Sequence, residues 1–472
     1  SATLLPAHLL ARNPSLLGHP FINRSFRELW DGLVPACINE TPRSLPGDLR
    51  FHPLCQLRAR FATGSCQVRA RFGADRHEML HPGRMGCSQG EQLADGQKGK
   101  PIMIIITGAS ALAWWNTPTL FKHEEIPPEQ FTAWLKMDEK MRRYATGRKN
   151  RRYVDERILA RLPFDLKGIP LPIEVETDYG TMRTSPFARV HRLSRKPDAS
   201  LLQALGNDLY VASPSLALVQ AGRRRSLTAT IALMYEACGI YAEPSVTDLV
   251  RPLLEACKAQ ASGAKQPSQF FRKDEDDPWK PVFDRNGDPS SMWKRPQLIT
   301  TEQLRIELET MQCVDGLPQA RRAAQFVHDR SGSWLETAWA LFALLPPRCG
   351  GAGYPAPLFN ERVTFTPEAE LLAGMSYCKC DMLWPEQNAV VELNGMAYHA
   401  DRAGFKEASG RRAALESMGY SVLEITYDQM CDITQLEILL DMMSTRLGLK
   451  PAKRSTKQIE RRKKLHQELV SG

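Results

Sequence analysis

The stretch Cys378–His399, CKCDMLWPEQNAVVELNGMAYH, constrains the fold of this chain more than any other. Two β-prone runs, Cys378–Trp384 and Ala389–Leu393, flank the turn formers Pro385, Glu386, Gln387 and Asn388, and a four-residue loop of this kind is a common hairpin connection. Such a loop sets the register. Trp384 pairs with Ala389, so Met382 faces Val391, Asp381 faces Glu392 and Lys379 faces Asn394. The strand period of two then sends Cys378, Cys380, Met382, Trp384, Val391 and Leu393 to one face, and Tyr377, Lys379, Asp381, Glu392 and Asn394 to the other. The first set is expected to be core and the second to carry chemistry. The two cysteines are accordingly read as core thiols and not as a zinc pair.

Directly opposed strand residues have β-carbons roughly 4.5–5.5 Å apart, and like charges placed there destabilise a sheet unless something compensates. A hard divalent cation, Mg²⁺ or Mn²⁺, is one compensator, because Mg²⁺ takes one or two carboxylates and keeps waters for its other positions. Surface screening of an exposed pair is the other.

Asp381, followed by Glu392-Leu393-Asn394, resembles the D…(D/E)xK signature of the PD-(D/E)XK, or restriction-endonuclease-like, superfamily. CDMLWPEQNAVVELNGMAYH with the later RRAALESMGYSVLEIT is similar to the branch related to very-short-patch repair endonucleases, with its D-x-x-W-P…V-V-E-x-D-G…H pattern followed by R…L…G-x-x-V…T. The resemblance covers roughly residues 320–447. It implies an α/β domain with a mixed central sheet flanked by helices, a bound Mg²⁺ (or Mn²⁺), and hydrolysis of phosphodiester bonds. It also implies that Glu336 joins Asp381 and Glu392 as a metal ligand. Ser333-x-x-Glu336 is equally a helix capping box, in which the Glu side chain turns back to the N-cap. Arg411 and Arg412, in a helix expected over Ala403–Met418, correspond to basic residues that face the site or the phosphate backbone.

Asn394 departs from the pattern, since the superfamily commonly has Lys there and this branch often has Asp. The register places Lys379 across the hairpin from it, so Lys379 is expected to supply the displaced cation. His399 is read as a proton carrier near the acids or as a cap on the turn after Asn394-Gly395.

The rest of the chain is organised around this half. Four hundred and seventy-two residues exceed one ordinary domain. Residues 1–102 show no sustained period of 2 or 3.6, and are read as a poorly ordered or non-native extension. From Met103 the run MIIITGASALAWWNTP resembles the start of abortive-infection antitoxin-like proteins, and 103–260 is expected to be an α+β recognition or regulatory domain. Within it, Ser213 and Pro214 mark a helix start. Around 142–152 lie Arg148, Lys149, Arg151 and Arg152, interleaved with Tyr144 and Tyr153, which suits phosphate contact with stacking or a solvated face. Residues 261–300 are expected to be a linker, 301–449 the endonuclease-like domain, and 450–472 a basic tail for nucleic-acid contact or solubility.

No run approaches the roughly 18–20 apolar residues of a membrane span, and the eleven Cys form no disulfide framework. These point to a cytoplasmic protein with no membrane partner. The net charge of +9 favours a polyanion. The expectation is a metal-dependent nuclease acting on nucleic acid, DNA first, in phage defence or DNA processing, with a partner protein from a toxin–antitoxin system as a further expectation. A DNA-binding regulator that keeps a degenerate nuclease fold is the alternative.

Overall fold

The computed structural model describes residues 102–137, 155–178, 184–261, 278–283, 289–394, 402–450 and 454–470. Residues 1–101, the basic run with Arg148, Lys149, Arg151 and Arg152, and His399 lie outside the described residues.

The first elements are β1 (Ile104–Ile106), α1 (Gly108–Trp115), α2 (Thr119–His123), α3 (Pro128–Met137), α4 (Glu156–Arg161), β2 (Ile173–Thr177), β3 (Ala188–Arg192), β4 (Leu202–Gly206) and β5 (Leu209–Ala212). Their strands form one sheet in the order β3-β2-β1-β5-β4. Ile104, Ile105 and Ile106 are completely buried, because β1 lies between β2 and β5; a central strand covered on both faces is apolar throughout instead of alternating.

Two helices follow, α5 (Pro214–Gly222) and α6 (Leu227–Ala237). Ser213 caps α5 by accepting from the Leu216 amide, with Pro214 in the first turn, and Ser226 caps α6 through the Ala229 amide. Next come β6 (Tyr241–Ala242) and α7 (Arg251–Ala261), then β7 (Lys280–Phe283) and β8 (Pro289–Lys294), which pair in a three-stranded sheet of order β6-β8-β7. The segment expected to be a linker therefore contributes an antiparallel pair of strands that ends at Lys294 and the buried Arg295.

The remaining elements are α8 (Thr301–Thr310), α9 (Leu317–Ala324), α10 (Trp334–Leu344), β9 (Leu358–Thr364), α11 (Pro367–Ala373), β10 (Tyr377–Trp384), β11 (Ala389–Asn394), α12 (Arg402–Ser417), β12 (Ser421–Thr426), α13 (Tyr427–Cys431), α14 (Ile433–Arg446) and α15 (Thr456–Val470). Their four strands form a mixed sheet in the order β12-β11-β10-β9, antiparallel except for the parallel β11–β12 pair. The protein is thus mixed α/β, as expected. One apolar core runs through the segments read as separate domains, with Ile106, Tyr235, Trp339, Met382 and Leu440 in the same buried cluster.

The basic tail is not free. Leu465 and Leu469 of α15 are buried in that cluster. Arg462, only 5% exposed, donates through Nε to the Gly350 carbonyl and lies 3.6 Å from Glu437. Apolar residues at helical spacing (Arg462 stem, Leu465, Leu469) seat this face, while the lysines between them give the stretch its charge.

Candidate active site

The hairpin has the expected register: Trp384 pairs with Ala389, Leu383 with Val390 and Met382 with Val391. Pro385–Gln387 forms a single tight turn, and Asn388 closes it in the left-handed region at φ 47°, a conformation that Asn tolerates better than most residues. Beyond Met382 the ladder gives way to a side chain. The Asp381 Oδ2 accepts the Leu393 amide at 2.7 Å, so the carboxylate, not a strand carbonyl, satisfies that donor.

The expected sorting of faces needs correction. Met382, Trp384, Val391 and Leu393 do enter the main core, but Cys378 and Cys380 pack instead with Leu383, Val390, Val363 and Val422 in a second cluster. Alternation slips at Asp381: in the β9–β10 ladder Cys380 pairs with Glu361 and Met382 with Phe359, and Asn360, the β9 residue between those partners, has φ 48°. The apolar residues on both sides of this slip are buried, so a pattern of apolar positions could not say which face each joined. Cys378 and Cys380 remain buried thiols, their sulfurs 3.9 Å apart.

Glu336 reaches the hairpin from α10. This helix buries nine consecutive residues, Leu335 to Ala343, and Glu336 in its first turn is only 4% exposed. Ser333 is the N-cap, accepting the Glu336 amide at 3.2 Å. The Glu336 carboxylate takes three donors: the Gly332 amide at 2.7 Å and Asn360 Nδ2 at 2.6 Å on Oε2, and Ser333 Oγ at 3.1 Å on Oε1. Only half of the expected capping box is present: Ser333 caps the helix, while the Glu336 carboxylate turns back past the N-cap to the Gly332 amide. That carboxylate also lies within electrostatic reach of Asp381.

The charges are arranged in sequence. Glu336 is pushed up to about 8, by burial first and by Asp381 second, against the Gly332 amide, Lys294 and Asn360. Asp381 is raised by burial, opposed by the Leu393 amide, Lys294 and Arg411. Glu392 is raised well above the usual carboxylate range by burial and then by Asp381, opposed by Arg411. Asp381 is thus the acid that bears on both of the others, while Lys294 opposes the rise at Glu336 and Asp381 and Arg411 opposes it at Asp381 and Glu392. Burial disfavours each ionised carboxylate, and the neighbouring acid compounds the cost. Among the described residues no three His, Cys, Asp or Glu side chains converge tightly enough to hold one ion between them.

A cleft opens at the Glu392 end, lined by Lys379, Glu392, Asn394, Arg411, Arg412 and Glu424. Lys379 is exposed there and Asn394 half-buried. Arg412 is already engaged, 2.9 Å from Glu416 and 3.7 Å from Glu424. The structure therefore brings Glu336, Asp381, Glu392, Asn394, Lys379 and Arg411 to one region. Lys294, Asn360 and Gly332 were missed by sequence reasoning. Lys294 lies 42 positions before Glu336 in a segment that reads as polar linker, and Asn360 precedes the hairpin with no spacing to mark it.

Among the described residues no helix is long and apolar enough to cross a membrane. Compared with models of protein families, with curated proteins and with solved structures, the chain matches none.

Proposed function

We propose that the protein is a metal-dependent nuclease cleaving phosphodiester bonds in nucleic acid, DNA first. The observation that carries this reading is the set Glu336, Asp381 and Glu392, the first buried and the other two half-buried, each carboxyl raised above its ordinary titration range by loss of solvent, with Lys294 and Arg411 acting against that rise. Stability alone does not favour such an arrangement, since burying charge without full compensation costs several kcal/mol, on the order of the penalty per ion for buried pairs. Perturbed carboxylates beside an open cleft are characteristic of functional sites.

The donor set suits a hard divalent cation, being carboxylate oxygen throughout. Asp381 and Glu392 would hold it. Glu336, with three of a carboxylate's roughly four acceptor positions filled by Gly332, Asn360 and Ser333, would contribute charge and hold Asp381 in its electrostatic setting. When bound, a divalent cation supplies Lewis acidity and balances charge on the phosphate. Arg411, at the cleft wall, would orient a phosphate through its guanidinium fork. A role in phage defence or DNA processing, and a partner protein from such a system, remain part of this proposal through the resemblance of the hairpin.

Asn394 favours a second reading, a nucleic-acid-binding regulator without chemistry, because the position that the resemblance assigns to a lysine carries no charge. Incubating supercoiled plasmid with the full chain and Mg²⁺ or Mn²⁺, beside Asp381→Ala, separates the two. Nicking by the wild type alone supports the nuclease. Retardation of DNA without nicking under either metal supports the regulator.

A further inference from the structure

Two runs in the N-terminal half carry cations and no acids: residues 188–196 hold Arg189, Arg192, Arg195 and Lys196, and residues 209–235 hold Arg223, Arg224 and Arg225. Folding brings them together. Arg189 and His191 sit on the edge strand β3, opposite Glu174 and Glu176 of β2, and the strand period of two puts all four on one face. The end of α5 lies against that face. The Gly108 amide donates to Gln220 Oε1 at 3.1 Å, and a Cβ on Gly108 would stand 3.0 Å from Glu174 Oε2 and 3.8 Å from the Ala221 amide nitrogen. Arg223, Arg224 and Arg225 follow directly. Their loop is clamped: Gln319 Nε2 lies 2.9 Å from the carbonyls of Gly222 and Arg225 and 2.8 Å from Thr230 Oγ1, while Gly316, at φ 93°, leaves room for the Arg223 Cβ.

Elsewhere in the fold arginines are tied down. Arg157, Arg295 and Arg321 each donate to two or three backbone carbonyls. By contrast, among the described residues no carboxylate comes within ion-pair distance of Arg192, Arg195, Arg223 or Arg224, and Glu174 already pairs with Arg189 at 3.1 Å. Arg225 Nη1 is shut off from solvent with no acceptor among the described residues. The imidazole of His191 registers the convergence: it is held below its ordinary range by burial first and then by Arg223, with Arg224 and Arg189 adding to the effect and Glu174 opposing it. Like charges held together on a clamped loop repel one another, so folding alone does not favour them.

We propose that Arg189, His191, Arg223 and Arg224 form a phosphate-binding shelf for duplex DNA, a contact surface separate from the acid site. It rests on the nuclease reading for the identity of the polyanion, and on nothing in the acid cluster for its geometry. Helix α6 connects the two. Its cap, Ser226, follows the arginines. At its other end the Cys238 carbonyl accepts the Arg330 amide at 2.9 Å, two residues before Gly332, whose amide holds Glu336. At 1.5 Å per residue the shelf and that loop are about 18 Å apart along the helix, roughly half of the 34 Å turn of a duplex, so one duplex can meet both. Guanidinium forks suit the phosphates that recur along it. A protein interface is depleted of charge at its core, so a shelf of guanidiniums fits a nucleic-acid backbone better.

The test is binding of the full chain to a fluorescently labelled DNA duplex in EDTA, read as anisotropy across a salt series. Arg223→Ala combined with Arg224→Ala should weaken binding and make the slope of log K against log salt shallower by about 2, at roughly 0.9 per phosphate contact. Ala keeps the Cβ that packs at Gly316, so the melting temperature should not move. Arg251→Ala combined with Arg348→Ala removes the same charge outside the shelf and should leave the slope as it is. An equal change in both variants would mean that only net charge matters, and would overturn the proposal. So would an unchanged slope in the Arg223 and Arg224 variant, or no duplex binding by the wild type; binding of polyglutamate in place of the duplex would assign the shelf to an acidic protein. If the wild type nicks no plasmid but its binding slope falls in the variant, the nuclease reading fails and the shelf stands.

Discussion

Glu336→Gln should make the metal-free protein less sensitive to rising pH. In the folded protein the Glu336 carboxyl is pushed from its ordinary 4.5 up to about 8 by burial and by Asp381. A folded-state pKa above the unfolded one means that folding takes up a proton. The associated stability is fully present below about pH 4.5 and is lost as pH rises through about 8. At about 1.4 kcal/mol per pKa unit, that rise withdraws about 5 kcal/mol above pH 8. The group is 4% exposed, so solvent screening takes little from this figure, although Asp381 shares the titration and the loss belongs to the pair.

Gln keeps the acceptor that Gly332 and Asn360 use and cannot ionise. Thermal melts in EDTA from pH 5 to 8.5 measure the difference. The wild-type curve should fall below that of Glu336→Gln by several degrees, on the order of 5–10 °C at the alkaline end, at roughly 2 °C per kcal/mol for a chain this large. Mg²⁺ should narrow the gap by favouring the ionised wild-type array. Parallel curves for the two proteins across the whole window would refute the assignment of a buried, proton-retaining Glu336.

Asp381→Ala and Glu392→Ala should each abolish nicking while leaving the metal-free melting temperature level or higher, because either removes one of two mutually repelling carboxylates; equal Mg²⁺-induced stabilisation of mutant and wild type would count against Asp381 and Glu392 as ligands. Arg411→Ala should impair nicking, whereas Arg412→Ala, whose guanidinium is paired with Glu416 and Glu424, should stay within about twofold, as expected of an exposed pair. Leu465→Ala should destabilise by about 2–5 kcal/mol in urea denaturation, the range for a buried leucine, and should leave the salt slope of DNA binding unchanged; a shallower slope at unaltered stability would return α15 to a nucleic-acid role.

Local physics made much of this protein legible from its residues alone. Turn formers between two β-prone runs determined the hairpin and its register, because loop length and pairing are coupled within about a dozen residues. Ser213 and Ser333 marked helix starts, because a cap satisfies amides two or three residues away. Asp381 and Glu392 were recognisable as a pair for the same reason. What needed the tertiary structure was every relation between distant segments. The apolar character of Cys378 and Cys380 said that they were buried but not against which of two cores, and the basic composition of 450–472 hid the fact that Arg462, Leu465 and Leu469 seat a helix. The partner of the acids was the least legible of all. Lys294 stands in a polar stretch with nothing to single it out, and its ammonium reaches the Gly332 carbonyl, on the residue whose amide bonds Glu336, only because β8 ends against that loop. Spacing along a chain reports neighbours within a turn or a hairpin; contacts among three separate elements are decided by packing.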